Sequence, residues 1–242
     1  MAVQLDREVV AVGHLNKAFM LSIVIPVLNE ESGIVPFLMK LQKIRYQTHE
    51  VIVVDGGSTD ATVKLAHPLC DCLLFSQPSR ARQMNAGAAQ AAGNLLLFLH
   101  ADTYLPENAL ALLSEFSDSD KGWGHFDVRL TGCRPMLRVI EQMISWRSRV
   151  TGIATGDQAI FVRRDLFNTI DGFPDQPLME DIEISRRLKA KEAPYCIHSP
   201  VLTSSRRWEE KGIWRTVYLM WKLRLQYFYG TSPDLLYKQY YR

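Results

Sequence analysis

Along this chain of 242 residues, short uninterrupted apolar runs alternate with stretches in which apolar residues recur every three or four positions. Leu21 to Leu28 is the first run, rich in β-branched residues and closed by Asn29-Glu30. Behind it Ile34, Phe37, Leu38 and Leu41 fall at i, i+3, i+4 and i+7, the spacing of one helical face. Val51 to Val54 forms a second run, closed by Asp55-Gly56-Gly57-Ser58-Thr59-Asp60, where glycine admits a tight turn and Ser, Thr and Asp can cap a following helix. Cys72 to Phe75 reads as a third strand, Arg80 to Ala92 as an alanine-rich helix, and Leu95 to Leu99 as a strand ending at His100-Ala101-Asp102-Thr103. Strands that are apolar throughout are buried on both faces. The pattern therefore predicts an α/β fold: a Rossmann-like, mostly parallel sheet with helices on both faces and ligands at the carboxyl ends of its strands. Glu30, Asp55 and Asp102 each follow a strand end directly. One Asp there is commonly only a helix cap, but three at the same sheet edge predict a shared site.

The second half is less regular. Trp123 to Leu130 has strand character, Met136 to Arg149 reads as a helix and Gln158 to Arg163 as a strand. Asp181 to Lys191 reads as a helix with Ile182, Ile184 and Leu188 apolar and its Arg and Lys residues solvated. Ile213 to Gly230, IWRTVYLMWKLRLQYFYG, predicts a C-terminal helix buried along Ile213, Val217, Met220 and Trp221. Its mixture of aromatic and basic residues also suits a second reading, peripheral contact with a membrane surface. With no Pro/Gly/Ser-rich linker and no repeat, residues 20–242 are expected to form one domain. It would comprise a nucleotide-binding half over about 20–105, an acceptor half over about 106–208 and a helical segment over about 209–242. Residues 1–19 are expected to be an N-terminal arm.

Composition narrows the partners. Hydrophobic residues at 47% and charged residues at 22% are those of a globular chain, and a net charge of +2 gives no reason to expect nucleic acid. Two local clusters, Arg80/Arg82 and Arg206/Arg207, could each meet a phosphate. Cys70, Cys72, Cys133 and Cys196 lack metal-site or disulfide-scaffold spacing, and no apolar run approaches the ~18 to 20 residues of a membrane span, so free thiols in the cytoplasm are expected. The sequence is silent on oligomeric state.

Eight strings occur in a telling order: Ser22-Ile23-Val24-Ile25-Pro26-Val27-Leu28-Asn29-Glu30; Val53-Val54-Asp55-Gly56-Gly57-Ser58-Thr59-Asp60; Arg82-Gln83-Met84-Asn85-Ala86-Gly87; Leu97-Phe98-Leu99-His100-Ala101-Asp102; Gly156-Asp157-Gln158; Phe161-Val162-Arg163-Arg164; Gly172-Phe173-Pro174; and Met179-Glu180-Asp181. Together they resemble the inverting family 2 glycosyltransferases of the GT-A fold, over roughly residues 20–190. The resemblance implies a hexosyltransferase using a nucleotide-sugar donor, with UDP the expected nucleotide. The strings around Arg82 and His100 further resemble a short, soluble bacterial subgroup associated with arsenosugar biosynthesis.

By the same resemblance, Pro26, Glu30, Asp55, Gly57, Arg82, Asn85, Ala101, Asp157 and Gln158 bind substrate. Asp102 holds Mg²⁺ or Mn²⁺ against the leaving diphosphate. Asp181 is the general base and Glu180 orients it or binds acceptor. The sequence departs from the family pattern at His100, where a carboxylate is usual. Imidazole there would favour Mn²⁺ if it is a ligand, while the alternative is a contact to ribose or phosphate. Arg207 and Trp208 loosely resemble an Arg-Trp element in which the guanidinium clamps diphosphate and the indole stacks under a sugar. Two rival readings remain in view. A nicotinamide enzyme would need Gly-x-Gly-x-x-Gly after the first strand, where Pro26 to Glu30 stands instead. A non-catalytic nucleotide-sugar-binding protein would have no evident use for Asp181.

Overall fold

The computed structural model describes residues 20–45 and 49–241; the expected N-terminal arm lies outside the described residues. The first four strands are β1 (Leu21–Val27), β2 (Glu50–Asp55), β3 (Cys72–Phe75) and β4 (Leu95–Phe98), paired in parallel in the order β3-β2-β1-β4. Helices α1 (Ile34–Arg45), α2 (Thr62–Ala66) and α3 (Arg80–Gln90) connect them. The apolar runs are buried on both faces, as expected. Ile23, Ile25 and Val27 join Ile34, Phe37 and Leu38 of α1 in one core. Val24 joins Ala81, Met84 and Ala88 of α3 in the other. Approach is closest at Gly87, where an added Cβ would lie 2.4 Å from Cγ1 of Val24. Only a residue without a side chain lets α3 lie this close to the sheet.

The second half extends the sheet with mixed polarity. β5 (Thr103–Tyr104), β6 (Trp123–Leu130), β7 (Phe161–Arg163) and β8 (Tyr195–Thr203) complete the order β3-β2-β1-β4-β7-β6-β8-β5. β7 is antiparallel to both β4 and β6, and β6 is parallel to β8. The expected strand from Gln158 is shorter than predicted, because Gly156–Gln158 closes into a single 3-10 turn held by a capping box between Thr155 and Gln158. Helices α4 (Ala109–Asp118), α5 (Pro135–Thr151), α6 (Arg164–Thr169) and α7 (Glu180–Lys189) flank this half.

Three C-terminal helices follow: α8 (Arg206–Glu210), α9 (Ile213–Phe228) and α10 (Pro233–Tyr240). Leu223, Leu236 and Tyr240 of this group enclose Met179, which precedes α7 with φ of +66°. A left-handed conformation is unfavourable for a side-chain-bearing residue and persists where packing holds it. The C-terminal helices thus fix the start of α7. The expected buried face of α9 needs correction. Thr216 and Leu223 are its buried residues, Ile213, Val217 and Met220 are partly covered, and Trp221 is 67% exposed. Among the described residues no helix is long and apolar enough to cross a membrane.

Candidate active site

The loops after β1 and β2 are stitched together at the carboxyl edge of the sheet. The Asn29 N–H donates to Ser58 Oγ (2.8 Å), the Thr59 N–H to Asn29 Oδ1 (2.9 Å) and the Glu30 N–H to Thr62 Oγ1 (2.8 Å). Beneath them the buried Gln83 amide donates to the Val27 and Val54 carbonyls at 2.9 and 2.7 Å, tying the ends of β1 and β2 to α3. Gln83 was not expected to act here. Its signal was a lone amide on the apolar face of a helix, where a buried polar group must find partners.

Asp55 is 1% exposed. Its Oδ2 accepts from the Gly57 and Ser58 N–H groups at 2.8 and 2.9 Å, and the turn they make is completed by Gly57 at φ +97°. Its Oδ1 is buried with no hydrogen-bond partner among the described residues. A buried carboxylate oxygen is costly to leave unpaired, which marks it as an acceptor for a ligand N–H or hydroxyl.

Several expected binding residues serve the framework instead. Arg82 pairs with Asp175 at 2.7 Å on the surface. Asn85 makes two hydrogen bonds to the Phe173 backbone, accepting at 2.9 Å and donating at 2.8 Å, and so pins the Gly172-Phe173-Pro174 turn to α3. Pro26 is buried within β1, and the half-buried Ala101 packs against the core. Gln158 is fully buried and donates to the Phe126 carbonyl (3.1 Å) and Ser148 Oγ (2.8 Å). Trp208 is partly buried and packs on the apolar cluster of Leu130, Leu137 and Ile140.

The cation at the centre of the site is Arg80, first residue of α3 and without an ion-pair partner among the described residues. It is close enough to Glu30, His100, Glu180 and Arg207 to perturb the ionisation of each. Arg206 also faces Glu30. Arg207 lies with its guanidinium 3.6 Å from the centre of the Tyr240 ring, its Nε is buried without a partner, and burial together with Arg80 lowers its pKa. Arg80 thus lies near both Arg207 and Glu30, and Arg206 near Glu30, an arrangement of guanidinium groups suited to an anion such as a diphosphate. Arg80, not expected as a binding residue by the sequence resemblance, is the residue at the helix N-terminus, where the backbone also favours negative charge.

Glu30 has its pKa raised by burial and then by Asp102, which places these two carboxyls near one another. Asp102 is exposed on the turn after β4 and accepts from Thr103 Oγ1 at 3.3 Å. His100 is neutral, its pKa pushed down to about 3 by burial and by Arg80. Its ring lies flat against Gly156, where an added Cβ would be 2.5 Å from Cε1, in a narrow cleft with Met84, Phe98, Phe173, Glu180 and Asp181. Among the described residues no group of three His, Cys, Asp or Glu side chains could hold a metal. The donor set is thus one exposed carboxylate, Asp102, near Glu30 and the neighbouring arginines. That fits a hard cation such as Mg²⁺ or Mn²⁺, which takes one or two carboxylates and completes its shell with phosphate and water. The wall position of His100 gives it a shaping role in the cleft.

Across the cleft, Glu180 and Asp181 open α7. Asp181 Oδ2 accepts from the Gly156 N–H at 3.0 Å and Oδ1 from the Ile182 N–H at 2.8 Å, so its carboxylate is held in one orientation. Glu180 is buried, and its pKa is pushed up to about 7 by desolvation and then by the Asp181 charge. Behind them Arg147 faces Asp157, Asp181 and Arg224, with its pKa lowered to about 10 by burial and Arg224. Asp157 has its pKa raised by burial, and its Oδ1 is buried without a partner.

Comparison with known proteins decides the family. The model of "Glycosyl transferase family 2" matches residues 22–167, more than half of the chain, from within β1 to within α6. The chain belongs to glycosyl transferase family 2. It is 31% identical over 163 residues to a PGL/p-HBAD biosynthesis glycosyltransferase of Mycobacterium bovis, the match covering 62% of each chain. The matched segment therefore spans a little under two thirds of that relative. A solved structure of Staphylococcus aureus TarS 1-349 in complex with UDP shares its fold with a TM-score of 0.63 at 18% identity, over 77% of this chain and 60% of that one. A mannosyltransferase from Pyrobaculum calidifontis in complex with GDP-Man and Mn²⁺ matches with a TM-score of 0.57 at 22% identity, over 84% of this chain and 60% of that one. At these identities the structures establish the GT-A fold. They agree with the sheet described here.

Proposed function

We propose that this family 2 glycosyltransferase moves a sugar from UDP to an acceptor hydroxyl with inversion at the anomeric carbon. The observation that carries the reading is one cleft that holds the Asp181 carboxylate, anchored by the Gly156 N–H, with Arg80 near its neighbour Glu180 and near Arg207. The free Oδ1 of Asp55 would accept from the uracil N–H or a ribose hydroxyl, and Glu30 would assist there. Arg80, Arg206 and Arg207 would hold the diphosphate. When bound, Mg²⁺ or Mn²⁺ would neutralise charge on the leaving diphosphate, with Asp102 as the protein ligand.

Inversion then needs one base. As the acceptor oxygen bonds to the anomeric carbon, its proton passes to Asp181, the carbon–phosphate oxygen bond breaks and UDP departs with the electron pair. Asp181 is suited to this because its two backbone donors fix its direction while each oxygen keeps a lone pair. Protonated Glu180 would bind the acceptor as a donor. The complexes of TarS with UDP and of the Pyrobaculum mannosyltransferase with GDP-Man and Mn²⁺ support a nucleotide donor and a divalent ion for proteins of this fold.

The test is calorimetric titration of UDP with and without Mn²⁺ or Mg²⁺, followed by turnover of UDP-sugars. Metal-dependent binding that Asp55→Ala weakens and that loses its metal dependence in Asp102→Ala is expected. A folded protein that binds no UDP under any condition would refute the donor. UDP binding without hydrolysis or transfer of any UDP-sugar would leave a nucleotide-sugar-binding protein.

A further inference from the structure

Helix α9 presents Trp214, Tyr218, Trp221, Leu225 and Phe228 to solvent, each at least 58% exposed. Their spacing of four, three, four and three residues places them in one stripe. Exposed large apolar side chains scattered singly need no explanation, but a continuous stripe of four aromatic residues and a leucine does.

Helix α5 carries a second stripe, Val139, Met143, Trp146 and Val150, each at least 49% exposed and again spaced four, three and four apart. The two helices lie side by side and run the same way. Ile213 and Val217 of α9 pack on the cluster containing Leu137 and Ile140 of α5, and seven residues further along each helix Arg224 faces Arg147. At ~100° per residue the exposed stripe lies roughly 100° from this contact on both helices, in opposite rotational senses. For parallel neighbours that turns both stripes to the same side. The result is one apolar face two helices wide.

Its charges choose the occupant. α9 contains Arg215, Lys222 and Arg224 and no Asp or Glu, and α5 contains three arginines against the single Glu141. Arg215 and Lys222 are exposed, stand seven residues apart on one edge of the α9 stripe and make no ion pair among the described residues. Two copies of such a face would set like charges against each other. Tryptophan and tyrosine flanked by unpaired cations match the boundary of an anionic bilayer, where the rings enter the acyl region and the cations meet headgroup phosphates.

We infer that α5 and α9 form a docking face that seats the protein on an anionic lipid surface, lying on the bilayer without spanning it. If the proposed sugar transfer holds, the face puts the cleft beside the headgroups, because α9 also packs against Met179 and its Arg224 faces Asp157. The acceptor would then be presented from the membrane.

The test is sedimentation of the full chain with phosphatidylcholine vesicles and with vesicles that also contain phosphatidylglycerol. Association with the phosphatidylglycerol vesicles about tenfold or more stronger than with phosphatidylcholine alone is expected. It should fall at least about tenfold in a Trp214→Ser/Tyr218→Ser/Trp221→Ser variant whose melting temperature matches the parent. A control variant at an exposed aromatic off this face, Phe75→Ser, should bind as the parent does. Failure of the full chain to associate, equal association of the triple variant, or a dimer in sedimentation velocity that the triple variant dissociates would overturn the inference. None of these readouts needs donor or turnover, so failure of the proposed reaction would be seen separately.

Discussion

The Gly156 N–H donates to Oδ2 of Asp181 across 3.0 Å, joining the turn before β7 to the first turn of α7. The same Gly156 supports the His100 ring on its Cα side. One backbone position therefore sets both the wall of the cleft and the direction of the carboxylate proposed as base.

That geometry predicts a division between Asp181 and its neighbour. Asp181→Asn keeps an oxygen for the Gly156 N–H but cannot take a proton, so turnover should fall by about 10²- to 10⁴-fold with UDP affinity unchanged. Steady-state rates and calorimetry on the same preparation check this. Glu180→Gln, which keeps a donor where the protonated acid stands, should lose far less. Equal losses in the two variants would remove the assignment.

Glu180 makes stability depend on pH in a stated direction. Its ordinary pKa of 4.5 is raised to about 7 in the fold by burial and by Asp181. Between those values the unfolded chain has released this proton while the folded protein retains it, so stability falls as pH rises from about 4.5 to about 7 and levels above that. In Glu180→Gln this decline is absent. Chemical denaturation of both proteins at pH 5 and pH 8 should show the variant gaining on the parent at the higher pH.

Leu236 is fully buried and lies far along the chain from α7, yet it packs with Met179. Leu236→Ala should cost about 2–5 kcal/mol in denaturant unfolding. It should also slow turnover more than it weakens UDP binding, since it loosens the strained residue before Glu180. A variant with unchanged kcat would show that α10 does not position the acidic pair.

Arg82 and Asn85 separate framework from ligand binding. Arg82→Ala should leave UDP affinity within about twofold of the parent, because its partner is Asp175 on the surface. Asn85→Ala should lower stability by about 1–3 kcal/mol through the loss of both bonds to Phe173. Arg80→Ala, by contrast, should weaken UDP binding about tenfold or more. Calorimetry on the three variants distinguishes these roles.

By itself the sequence determined the local elements and their edge. Unbroken apolar runs at Leu21, Val51 and Leu95 can be buried only in a sheet covered on both sides, and each ends at an acidic residue, so Glu30, Asp55 and Asp102 were legible as one edge. Only the tertiary structure decided which polar side chains face a ligand. Arg80 and Arg82 are two residues apart on one helix, yet about 200° of rotation separates them and turns one to the cleft and the other to Asp175. Trp208 and Trp221 are equally apolar, but what packs over each is set by elements distant in sequence. Trp208 is partly covered by α5, whereas Trp221 is left to solvent. Periodicity specifies which residues share a face, and it carries no information about what that face will meet.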